Sequence, residues 1–133
     1  MDFPVAPPIT AQPPAVVARK VRWAHAAYVF QTLAWLAGGG GLIGAIIAGL
    51  NRGAVRGTWL ESHFQWQIST FWRGLGYGIL AAIGAGLASL LLPEPAERPA
   101  ALLVGAVYLG WYVGRVAKGW LALHHREPID VDD

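Results

Sequence analysis

The chain has 133 residues, 55% of them hydrophobic and 14% charged, with a formal net charge of +2 and no cysteine. One domain fits that length, but the balance is too apolar for an ordinary soluble domain, and the missing cysteines exclude disulfides, thiolate catalysis and cysteine-based metal sites. An isoelectric point near 9.3 suggests nucleic acid, yet the basic residues gather at the ends of apolar runs, where topology is set, and leave no basic stripe for a nucleic-acid partner.

Residues 1–14 hold five prolines and no basic stretch ahead of an apolar run. They predict a disordered cytoplasmic arm rather than a cleavable signal. Residues 23–50 carry no charge. As one helix this run would measure about 42 Å, against a hydrocarbon core of about 30 Å. Gly38, Gly39, Gly40 and Gly41 interrupt it, each costing a helix about 1 kcal/mol relative to Ala. The prediction is a helix over 15–37 and a short one over 42–51. Being too short to cross alone, the second makes a re-entrant or tilted hairpin with the first.

A third helix is predicted from an N-cap at Thr58, with Glu61 completing a capping box, up to Pro93. Its first half is polar and aromatic, with Trp59, Trp66 and Trp72 as headgroup anchors, and residues 74–92 are free of charge. Gly74, Gly78, Ala82 and Gly86 repeat every fourth position and predict close backbone packing, as do Gly110 with Gly114 and Gly40 with Gly44. The fourth helix is predicted over 99–123, with Trp120 at its interface end and an acidic, solvated tail over 124–133. Arg19, Lys20, Arg22, Arg52, Arg56, Arg115, Lys118 and Arg126 cluster at one side of the spans, whereas the turn 93–99 holds two Glu and one Arg. That bias puts both termini in the cytoplasm. The expectation is an all-α, polytopic protein of a bacterial-type cytoplasmic (inner) membrane.

The candidate site is a polar cluster of Glu61, His63, Gln67, Thr70, Arg73 and Arg115. On a helical wheel His63, Gln67, Thr70 and Gly74 form one stripe, with Phe64, Ile68, Phe71 and Leu75 opposite and facing lipid. Arg73 leans back toward its own helix start and snorkels to the cytoplasm, whereas Arg115, on a helix running the other way, leans into the membrane and needs a partner. Glu61 is the expected partner. His25, His63, His124 and His125 show no metal-ligand spacing. No nucleophile, base and orienter set appears either, so no cofactor, metal or enzymatic activity is expected.

The segment RGTWLESHFQWQISTFW, residues 56–72, resembles a block found in small bacterial membrane proteins of unknown function. These are distantly similar to the twenty-kilodalton subunit of the chloroplast inner-envelope protein-import translocon. The resemblance spans about 21–123, with His63, Gln67 and Ile68 at the family's His and Gln-Ile positions and Ser69 where it usually shows Arg. It implies a helical membrane fold and, by analogy with the plant relative, translocation or channel activity. The leading expectation is a non-enzymatic accessory or packing subunit, whose partners are the lipid bilayer and other membrane subunits or copies of itself. The alternative is a pore or transport component. The two differ in whether the stripe of His63, Gln67 and Thr70 packs against protein or lines water.

Overall fold

The computed structural model describes residues 14–37, 40–130 and 132, with the backbone alone at 34–37 and 40. Gly38, Gly39 and the proline-rich arm up to residue 13 lie outside the described residues. Four α-helices, α1 (Pro14–Ala37), α2 (Gly40–Arg52), α3 (Trp59–Leu91) and α4 (Glu97–His125), account for most of the described residues, with one 3-10 turn at Gly53–Val55 and no strand among them. Among these, α3 and α4 are the two helices long and apolar enough to cross a membrane. The second helix begins two residues before the predicted Leu42, because Gly40 and Gly41 take helical conformation.

α1 opens on Pro14, whose missing N–H is no loss in a first turn. It buries Ala24, Ala27, Tyr28 and Gln31, one stripe at i, i+3, i+4 and i+7, while Trp23, Val29, Phe30 and Leu33 point outward. α2 buries Gly44, Ala48 and Asn51 and exposes Leu42, Ile43, Ile46 and Leu50. Both helices thus turn small or polar residues inward and large apolar ones outward, the reverse of a soluble helix. Small residues let the hairpin close tightly: a Cβ at Gly44 would lie 2.9 Å from the Ala27 carbonyl. At its open end, Lys20 Nζ donates to Asn51 Oδ1 at 2.7 Å.

Thr58 caps α3, but without the expected capping box. Its backbone N–H and its hydroxyl both donate to the Val55 carbonyl. Glu61 instead accepts from the N–H of Gly57, at 2.8 Å, where a left-handed φ of 78° turns the chain. Leu92, held extended before Pro93, stops the helix. α4 ends in a Schellman motif on Arg126 (φ 57°), with Arg126 N–H donating to Leu123 and Glu127 N–H to Ala122. This reversal corrects the expected solvated tail at Ile129 alone, the other described residues of 124–132 being exposed. Residues 127–130 fold back over the start of α3, burying Ile129 and donating its N–H to Ser62 Oγ at 3.0 Å.

α3 and α4 run antiparallel and meet along residues 67, 70, 74, 78, 81, 85 and 88 of one and 97, 101, 104, 108, 111 and 115 of the other, the less exposed positions of each. Mixed steps of three and four, averaging about 3.5 to 3.6 residues, mark a left-handed, coiled-coil-like seam. The predicted four-residue stripe leaves this seam, since steps of four advance 40° each. Ala82 is exposed, and nothing lies within 4 Å of a Cβ at Gly86, Gly110 or Gly114. Gly74 and Gly78 do stay in the seam, but Tyr112 and Tyr108 rings lie against them rather than a second backbone.

Burial divides the molecule. In the proximal half, at the α3 N-terminus and α4 C-terminus, α1, α2 and the tail wrap α3 around a core of Tyr28, Leu60, Phe64, Trp66, Val116 and Leu123. Phe64 is therefore fully buried and Trp66 is 1% exposed; Phe64 does not face outward, and Trp66 is no surface anchor. In the distal half, residues 75–111 contribute no buried side chain, and the two helices stand as a bare hairpin.

Candidate functional site

Where α1, α3 and α4 meet, polar side chains interlock. Ala24, Tyr28 and Gln31 present one face of α1, and His63, Gln67 and Thr70 one face of α3; all of these polar groups are sealed at 1% exposure or less. Gln31 Nε2 donates to the Gln67 carbonyl at 2.9 Å, and Gln67 Nε2 returns a bond to the Ala24 carbonyl at 3.0 Å. Tyr112, from α4, donates its hydroxyl to the Gln31 carbonyl at 3.0 Å. Carbonyls already engaged in a helix keep a second lone pair, so these contacts leave the helical ladder intact.

His63 lies between α1 and the returning tail. Its Nε2 is 2.7 Å from the Glu127 carbonyl, and its Nδ1 is 3.3 Å from Tyr28 Oη. A carbonyl only accepts, so Nε2 carries the proton and Nδ1 accepts from the tyrosine. Trp59 meets the same ring edge-on at 5.6 Å between centroids. Both ring nitrogens are thus engaged, and among the described residues no group of three or more His, Asp or Glu is arranged to hold a metal ion.

Arg115 is 6% exposed. Its guanidinium carbon lies 3.8 Å from the Trp66 ring centroid, Nε donates to Thr70 Oγ1 and Nη2 to Ser69 Oγ, each at 3.1 Å. The Trp66 indole N–H returns a bond to the Arg115 carbonyl at 3.2 Å. The expected tilt is present, because the side chain reaches one turn distally from the level of Trp66. The expected partner is not. Glu61 lies about 13 Å of helix away from Thr70, bound to the Gly57 N–H and 3.6 Å from Arg52 Nε. A ring face and two hydroxyls satisfy the cation where a carboxylate was sought.

The structure therefore brings together His63, Gln67, Thr70 and Arg115, and leaves Glu61 and Arg73 outside the junction. Arg73 is half-buried and makes no hydrogen bond or ion pair among the described residues. Sequence reasoning missed Tyr28, Gln31, Tyr112, Gly119 and Ile129. Tyr28 and Gln31 stand out as polar groups in the charge-free run 23–50, at the spacing of one helical face with Ala24, which is a usable signal. Gly119 carries none: a Cβ there would collide with Tyr28 Oη and lie 2.6 Å from Trp66 Nε1. Nearby, Trp120 Nε1 donates to His25 Nδ1 at 3.0 Å, and its ring stacks on Tyr28. Among the described residues, Gln31 Oε1 is buried without a donor, and Gln67 Oε1 is buried with none in good hydrogen-bond geometry, the Tyr28 hydroxyl lying beside it. In comparisons with protein-family models, curated proteins and solved structures, the chain matches none.

Proposed function

We propose that this chain is a multi-pass protein of a bacterial-type cytoplasmic membrane, with both termini cytoplasmic, that serves as a non-enzymatic packing subunit of a membrane assembly. The observation that carries this reading is the bare distal hairpin. The most apolar 18-residue windows of α3 and α4 are only 6% and 17% buried within the chain. A soluble core helix would be mostly covered, so lipid or other membrane subunits cover these surfaces. Lys20 bonds Asn51 and Arg52 neighbours Glu61 at the proximal end, which gathers the basic residues on one side, as a cytoplasmic face requires. α2, 13 residues and about 20 Å long, enters as half of a re-entrant hairpin with α1. The stripe of His63, Gln67 and Thr70 is sealed against protein, which supports packing over a water-lined path.

The second reading, a pore or transport component, as the resemblance of residues 56–72 implies, draws on one observation. Water or a permeating cation would satisfy the two buried oxygens of Gln31 and Gln67. Because the chain has no cysteine, single Arg98→Cys and His125→Cys variants can be labelled from either side of intact vesicles. Labelling from opposite sides, with retention in membranes at alkaline pH and a protein partner copurified in mild detergent, is the expected result. Release at alkaline pH overturns the membrane reading. Retention without a partner, together with ion flux in reconstituted vesicles, overturns the packing role in favour of transport.

A further inference from the structure

One face of the α3–α4 seam opens into a groove of about 530 Å³ bordered by Tyr77, Leu80, Ala81, Val104, Val107 and Trp111. Its volume falls within the range of about 300–1,000 Å³ usual for small-molecule sites. The walls are apolar throughout. At its proximal end Tyr77 and Trp111 meet edge to face, 4.7 Å between centroids.

The same face of α3 continues proximally, and there its character changes. Arg73 lies one turn before Tyr77, and Ser69 one turn before Arg73, so the three share a side of the helix. Among the described residues, no side chain pairs with the Arg73 cation. Ser69 Oγ accepts from Arg115 Nη2 at 3.1 Å, which leaves its own proton uncommitted. No acid follows Glu61 on α3, and none lies between Glu97 and the end of α4. The charge-free residues 74–92 begin immediately after Arg73 and span about 28 Å as a helix, the thickness of a hydrocarbon core. Arg73 thus stands at headgroup level, Tyr77 and Trp111 where aromatic belts sit, and the groove at acyl-chain depth.

We infer that this groove binds an anionic glycerophospholipid of the proximal leaflet, with an acyl chain along Leu80, Ala81, Val104 and Val107 and the phosphate on Arg73 and the Ser69 hydroxyl. The inference rests on the membrane reading above. A zwitterionic lipid fits the groove equally well but brings its own cation to the phosphate, so Arg73 selects for net negative charge. The unmatched cation also distinguishes this occupant from a second copy of the chain, whose corresponding face would place Arg73 against Arg73 in a two-fold pairing.

Native mass spectrometry of the full chain, extracted in mild detergent with equal phosphatidylglycerol and phosphatidylcholine, reads bound lipid and oligomer together. Wild type retains one phosphatidylglycerol in preference to phosphatidylcholine. Arg73→Gln lowers that preference about five-fold, the effect of one basic residue at an anionic surface, while Arg98→Gln, on the distal turn, leaves it unchanged. Ala81→Trp fills the groove and lowers retention of both lipids. Equal retention of the two lipids by wild type, or an unchanged preference in Arg73→Gln, overturns the proposal. A lipid-free dimer that Ala81→Trp dissociates overturns it in favour of a second copy. Alkaline extraction separates the two levels: a chain that stays in the membrane but retains both lipids equally loses only the lipid site, whereas a chain released from the membrane loses the membrane reading itself.

Discussion

The proximal and distal halves are made from the same two helices yet obey different rules. Proximally, α3 is surrounded: Leu60, His63, Phe64, Trp66, Gln67 and Thr70 point in several directions and all are buried. Distally, Ile79, Leu80, Ile83, Leu87 and Leu90 of the same helix are all more than half or nearly half exposed. The difference lies in what the chain supplies as neighbours rather than in the helix. Polar side chains sit where four elements converge, and large aliphatic ones where only two do. Identical substitutions should therefore have different effects in the two halves.

The widest gap is expected between two tryptophans. Trp66→Ala removes a buried ring, its bond to the Arg115 carbonyl and its contact with the guanidinium, for a loss of about 3–5 kcal/mol. Trp72, 64% exposed, should lose less than about 1 kcal/mol. Chemical unfolding in detergent measures both, and equal losses would erase the distinction between the halves. Next come two isoleucines. Ile129→Ala should cost about 2 kcal/mol, because the returning tail buries this side chain on the core. Ile83→Ala, on the distal surface, should cost under about 0.5 kcal/mol; a harmless Ile129→Ala would mean the tail is not part of the fold.

Two glycines sharpen the contrast. Gly119→Ala pushes a methyl into Tyr28 and Trp66 and should cost about 1–3 kcal/mol. Gly105→Ala meets nothing within 4 Å and should be neutral or raise stability by up to about 1 kcal/mol through helix propensity. Thermal unfolding of the two variants side by side decides it. The smallest effect is a coupling. Glu61 and Arg115 hold separate partners, so the losses from Glu61→Ala and Arg115→Ala should add to within about 0.5 kcal/mol in the double variant. A larger coupling would restore the pairing that the sequence suggests.

These contrasts also mark what a linear reading can reach. Thr58 and Pro93 bound α3 as chain chemistry requires, and the chain reverses between Ala37 and Gly40 so that α1 and α2 pack together. The inward lean of Arg115 follows from helix direction alone. Phe64 was misassigned by the wheel, Trp66 by the aromatic enrichment of its half-helix and Ile129 by the acidic residues around it, and each reading looks at one segment alone. A wheel assigns faces to one helix in isolation, and cannot say that a hairpin, a second helix and a returning tail cover every side of it. That Arg115 pairs with groups other than Glu61 has a different origin. Charge-matching searches for carboxylates, whereas a guanidinium is equally served by a ring face and hydroxyls brought from distant positions. The four-residue glycine stripe failed by arithmetic, since only mixed steps of three and four stay on a straight seam.

Six of the bonds between elements run from a side chain to a backbone carbonyl: Gln31 to Gln67, Gln67 to Ala24, Tyr112 to Gln31, Tyr108 to Gly74, Trp66 to Arg115 and His63 to Glu127. Every residue type offers the same carbonyl, so an acceptor position can change its side chain without losing the bond, provided the new group fits. Selection then acts on the donors singly. Across homologous chains, Gln31, Gln67, Tyr112 and His63 should persist while Glu127, exposed and bonded only through its backbone N–H and oxygen, drifts freely. Pairwise covariation, which needs two side chains to compensate for each other, would find little to record between α1 and α3 beyond Tyr28 with His63, even though the helices are locked together.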